Sequence, residues 1–101
     1  MAAVLDNYPV GGIAMFGKNI STPDQITAFI NNLQNSGNIP LFMAIDEEGG
    51  LVARIADNAA FNVRRYKSAA AVGESGDTAA AAEMGQTIGT YLHQYGFNLD
   101  F

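Results

Sequence analysis

Two short, unbroken apolar runs constrain this chain more than anything else in it. Ile13-Ala14-Met15-Phe16 and Leu41-Phe42-Met43-Ala44-Ile45 contain no polar residue. Each therefore reads as a strand buried on both faces, the habit of parallel sheets. Between them lies a helix with a well-marked start. Thr22 is suited to cap it, Pro23 suits the first helical position, and Gln25 completes a capping-box pattern. Ile26, Phe29, Ile30 and Leu33 then recur at helical spacing as one apolar stripe, and Asn35-Ser36-Gly37 ends the helix in the usual glycine-assisted way. Residues 51–75 carry no long period and read as an extended loop. A second helix is expected from Asp77 or Thr78, with Met84, Ile88, Tyr91, Leu92 and Tyr95 on its packed face and Gly96 at its end. Phe97 to Phe101 begins a third strand. Strands joined through helices predict an α/β fold with a parallel sheet and right-handed crossovers.

Three strands and two helices cover both faces of such a sheet poorly. An eight-stranded barrel of this type needs roughly 250 residues, and the chain has 101. It is expected to supply the first three or so strand-helix units of a TIM-type barrel, truncated at its C-terminal end. Such a partial barrel should expose apolar strand edges and self-associate. The competing expectation is a stand-alone small α/β module that binds a ligand or partner without catalysis. That module would be a monomer with cooperative melting.

Composition removes other classes. Ten Asp and Glu stand against five Lys and Arg, a formal net charge of −5, which disfavours nucleic acid. Arg64-Arg65 with Lys67 is too short a basic cluster to change that and reads as a solvated loop. The chain has no cysteine, so it has neither a disulfide framework nor a thiolate metal site. This is compatible with the cytoplasm without requiring it. No segment is long and apolar enough to span a bilayer, and Met1 to Ala3 does not open a signal-peptide pattern.

Asp46-Glu47-Glu48-Gly49-Gly50 is the most informative stretch. Asp46 follows a buried strand, at the end where parallel α/β folds place their active sites. The glycines allow a sharp turn, and Arg54, eight residues after Asp46, can reach back over the same pocket. A carboxylate that accepts from hydroxyls and a guanidinium that donates to them suit a sugar. From spacing alone a structural salt bridge fits Asp46 and Arg54 equally well. Glu47 reads as a solvated loop charge. Glu48 reads either so or as an inward hydrogen bond to the loop backbone. These acids do not make a catalytic pair. A retaining glycosidase needs carboxyl groups about 5–5.5 Å apart on either side of the scissile bond, and neighbours on one short loop approach from one side. The loop lacks the regular ligand spacing of calcium sites, so no metal is assigned.

Nothing else in the chain competes strongly. His93, the single histidine, lies late in the second helix and reads as a surface or cap residue. Gly73 to Gly76 reads as a plain turn, no nucleotide fingerprint or nucleophile elbow is present, and Tyr8, Tyr66 and Tyr91 have no spacing that suggests a sugar-stacking platform.

Taken in order, the motifs resemble a known family. Gly11 to Ile20, GGIAMFGKNI, resembles the first barrel motif of glycoside hydrolase family 3. Pro40 to Ile55, PLFMAIDEEGGLVARI, is similar to that family's most recognisable early motif. Ser68 to Gly73, followed by Gly76-Asp77, resembles the loop into the next helix, and Gly96 to Phe101 resembles the start of the following strand. The resemblance covers nearly the whole chain and is greatest to the β-N-acetylhexosaminidase branch that acts in peptidoglycan recycling. It implies a (β/α)8 barrel and retaining hydrolysis of O-glycosyl bonds of β-linked N-acetylglucosamine or β-glucose, with no cofactor. Asp46 matches the aspartate that binds sugar hydroxyls in the −1 subsite, and Arg54 matches an arginine of the same site. Leu51 stands where arginine is common, and Glu47 where glutamine or histidine is frequent. Asp100 falls at a frequent but variable position. The family's aspartate nucleophile and histidine acid/base belong to later parts of the barrel, so no catalytic residue is assigned here. His93 is not that histidine, because its helix precedes the third strand. The segment alone is expected to be inactive.

Overall fold

The computed structural model describes residues 2–101. In chain order they form helix α1 (Ala2–Asn7), strand β1 (Gly12–Met15), a single 3-10 turn at Gly17–Asn19 and helix α2 (Pro23–Gln34). Strands β2 (Phe42–Ile45), β3 (Glu47–Gly49) and β4 (Val52–Ala53) follow, then helices α3 (Ala69–Glu74) and α4 (Thr78–Tyr95), and strand β5 (Leu99–Asp100). β1, β2 and β5 make one sheet in that spatial order, all parallel. Gly12 lies opposite Phe42, Met15 opposite Ile45, and Ala44 opposite Leu99. The architecture is α/β with a parallel sheet, as the alternation of patterns predicts.

Local chemistry explains where the helices begin and end. Thr22 Oγ1 accepts from the Gln25 N–H at 3.2 Å. Gln25 Oε1 in turn accepts from the N–H of Ser21 at 2.9 Å, one residue earlier than a capping box places it. Asp77 Oδ1 accepts from the N–H groups of Ala79 and Ala80 and starts α4. Gly96 ends α4 in the left-handed conformation, φ 99°. The end of α2 departs from expectation. Asn35 stays right-handed at φ −82°, and Gly37 is not among the glycines with positive φ. The Gln34 side chain then does unexpected work. Its Oε1 accepts from Leu41 N–H at 2.8 Å and its Nε2 donates to Leu41 O at 2.9 Å. This pairing holds the chain at the entry to β2.

Residues 51–75, expected as one loop, contain β4 and α3, and α1 forms where the sequence carries no helical pattern. A two-residue strand and six-residue helices are too short to leave a periodic signal. β4 exists because β3 pairs with it antiparallel, Glu47 opposite Ala53.

The core lies on one side of the sheet. Met15, Met43 and Ile45 pack with Ile26, Ile30 and Leu33 of α2 and Met84, Ile88, Tyr91 and Leu92 of α4. Alternation along a strand sends every second side chain the other way. There Phe42 is 62% exposed and Phe101 67% exposed, with Ala14, Phe16 and Leu99 also exposed. On that face only the small Ala44 of the two runs is buried, and the large apolar side chains are buried on one face only, which corrects the two-faced burial expected from their composition.

Candidate functional site

β2 delivers Asp46 to the C-terminal end of the parallel sheet, and the reversal that follows determines what Asp46 meets. Gly49 and Gly50 both adopt left-handed angles, φ 80° and 60°. A Cβ on Gly49 would lie 2.6 Å from the Lys67 carbonyl oxygen, so the turn requires glycine on two counts. It folds β4 back along β3 and brings Arg54 to Asp46. The Arg54 guanidinium lies 3.6 Å from Asp46 Oδ2, and each side chain is 32% exposed. The two residues singled out from the sequence are thus on one surface, in contact, and each still open to solvent. Arg54 Nε is buried without an acceptor among the described residues, so the guanidinium is not fully satisfied by the protein around it. Beside it is a hollow of about 260 Å³ lined by Gly17, Ala53, Arg54, Asp57 and Asn58.

Glu47 corrects the sequence reading most sharply. Expected as a solvated charge, it is 1% exposed and is the charged residue of the core among the described residues. Its Oε2 accepts from the backbone N–H of Arg54 at 2.5 Å and of Ile55 at 2.8 Å. Its Oε1 accepts from Ala56 N–H at 2.9 Å and from the Tyr91 hydroxyl at 2.8 Å. Glu48 is exposed, so the inward bond to the loop backbone is made by Glu47 instead. Strand parity was the signal. Met43 and Ile45 face the helices, and Glu47 is the next residue in that series. Tyr91 carried a second signal: a phenol on the packed face of a helix needs a partner for its hydroxyl.

Two further groups complete the cluster. Asp100 Oδ1 accepts from Glu47 N–H at 2.8 Å and so ties β5 to the start of β3. Asp100 is exposed as a residue, yet partial burial of its carboxyl raises it above its ordinary value, the Glu47 N–H opposes the shift, and the nearby Glu47 and Asp46 charges add to it. The Tyr91 hydroxyl is also held well above its usual value, first by burial and then by its bond to the Glu47 carboxylate. It remains a neutral donor.

The other candidates lie away from this cluster. His93 is exposed in the last turn of α4. Arg64 pairs with Glu83 and lies over the Tyr66 ring, 4.7 Å from its centroid. Arg65 pairs with Asp57 and donates to the Gly50 carbonyl oxygen. The Gly73 to Gly76 turn leads into Asp77, whose carboxylate already takes the free N–H groups of α4.

Chemically, the arrangement offers a carboxylate acceptor and a guanidinium donor from one side. A family model described as "Glycosyl hydrolase family 3 N terminal domain" matches residues 1–101. Beta-hexosaminidase A of Pseudoalteromonas piscicida is 31% identical over 106 residues, which cover 100% of this chain and 18% of that protein. Among solved structures, a glycoside hydrolase family 3 beta-N-acetylglucosaminidase from Paenibacillus sp. str. FPU-7 superposes with a TM-score of 0.80. It is 36% identical and is matched over 91% of this chain and 18% of its own. NagZ from Neisseria gonorrhoeae, in complex with N-trifluoroacetyl-D-glucosamine, superposes with a TM-score of 0.86. Its identity is 25%, over 99% of this chain and 30% of its own. The chain thus spans less than a third of the length of each of these relatives.

Proposed function

The chain belongs to glycosyl hydrolase family 3, and from that premise we propose that residues 1–101 are the N-terminal portion of a (β/α)8 barrel and supply one wall of its −1 sugar subsite. The whole protein is a retaining glycosidase that hydrolyses O-glycosyl bonds of β-linked N-acetylglucosamine or β-glucose. The names of the relatives favour N-acetylglucosamine. Asp46 accepts hydrogen bonds from sugar hydroxyls, and Arg54 donates to them. Neither residue attacks or protonates the glycosidic bond. In a retaining reaction a nucleophile forms a covalent glycosyl-enzyme that water then hydrolyses. This segment supplies binding to that sequence of steps and not its reacting groups.

The observation that carries the proposal is the meeting of Asp46 and Arg54 at one strand mouth, 3.6 Å apart and each part-exposed. A purely structural pair would be expected closer and fully satisfied, whereas Arg54 Nε has no acceptor among the described residues.

The test is steady-state hydrolysis of an aryl N-acetyl-β-glucosaminide by the whole protein. Asp46→Ala should lower kcat/KM by a factor equivalent to about 1.5–3 kcal/mol of lost transition-state stabilisation for each charge-assisted hydrogen bond lost. Arg54→Ala should do the same. Unchanged kcat/KM in both variants would reject the assignment. An aryl β-glucoside measured in parallel separates the two candidate sugars.

A further inference from the structure

Glu47 is costly to keep where it is. A buried carboxylate is tolerated only when its oxygens are fully hydrogen-bonded, and here they are: four donors converge on two oxygens. Three of the four are the consecutive backbone N–H groups of Arg54, Ile55 and Ala56. The fourth comes from α4, and β5 holds the Glu47 N–H through Asp100.

A single side chain that takes three successive N–H groups orients the peptide planes at the root of Arg54. Glu47 also directly follows Asp46 in the chain. The same residue therefore governs the backbone on both sides of the 3.6 Å pair. We propose that Glu47 is a positioning residue for the sugar site. Its carboxylate clamps residues 54–56 so that the Arg54 guanidinium faces Asp46 and the bound sugar. This inference rests on the sugar site proposed above.

The clamp acts through Arg54, so its energetic effect must depend on Arg54 being present. In the whole protein, Glu47→Leu removes every acceptor while keeping an apolar side chain of similar size. It should lower kcat/KM on the aryl N-acetyl-β-glucosaminide by about 30-fold, chiefly through KM, because the misplaced group binds the sugar and does not cleave it. Glu47→Gln keeps one oxygen for the Arg54 and Ile55 N–H groups and should recover most of the loss. With Arg54→Ala already in place, Glu47→Leu should add no more than about threefold, the signature of two residues acting as a unit.

If Glu47→Leu does not fold, Tyr91→Phe takes its place. It removes one of the four donors and should raise KM about threefold with Arg54 present and leave it unchanged with Arg54→Ala. A loss of equal size with and without Arg54, or one confined to kcat, overturns the positioning role. Full activity of Arg54→Ala alone overturns the clamp, and full activity of both Arg54→Ala and Asp46→Ala overturns the sugar site itself, so the two failures are told apart.

Discussion

Asp100 shows how one side chain can serve the architecture at a cost. Its oxygen anchors Glu47 N–H, yet its ionised form is modestly disfavoured by partial burial of the carboxyl and by the acids beside it, on a residue that stays exposed overall. The folded state holds the Asp100 proton more tightly than the unfolded chain does. The stabilisation from this group is therefore fully present below the ordinary carboxylate value and fades as pH rises through the raised one. Asp100→Asn keeps an oxygen for the Glu47 N–H and discards the charge. Urea denaturation from about pH 3 to pH 7 should show a smaller change in stability for this variant than for the parent, with equal or greater stability at neutral pH. An unaltered pH dependence would contradict this account.

Among the elements, the β3–β4 reversal matters most, because it joins Asp46 to Arg54. Gly49→Ala would impose a left-handed angle on an L residue and drive a Cβ toward the Lys67 carbonyl. It should cost more than about 1 kcal/mol in chemical denaturation and also raise KM, since Arg54 moves with the turn. Thr22→Ala makes a useful contrast. It removes the N-cap of α2 and should cost about 1 kcal/mol of stability. Because α2 contributes no side chain to the Asp46–Glu47–Arg54 cluster, KM should not change.

The whole molecule is larger on its outside than a self-contained domain of its length. Its accessible surface is 6409 Å², against roughly 5,500 Å² expected for a compact protein of this mass. Its radius of gyration is 14.9 Å, where about 13 Å is usual for 100 residues. Part of the excess is the open face of the sheet, where Phe42, Leu99 and Phe101 lie exposed. Residues 1–101 prepared alone should therefore self-associate in sedimentation experiments. A monomer that melts sharply would instead favour an independent small α/β module.

Periodicity and punctuation alone determined the order of the three sheet strands and the two long helices, the parallel sheet, the cap residue Thr22, a start of α4 at Asp77 or Thr78, and the nearness of Asp46 to Arg54. These are local properties: apolar spacing, capping side chains, and a glycine pair that allows only a short reversal. The burial of Glu47, its bond to Tyr91 44 residues away, and the one-sided packing of the sheet were decided by the tertiary structure. An isolated glutamate beside a glutamate and two glycines looks like a loop charge, because its cost or benefit depends on which donors the fold brings to it. Only once the β3–β4 reversal brings the N–H groups of residues 54–56 to Glu47, and α4 brings the Tyr91 hydroxyl, are those donors in place.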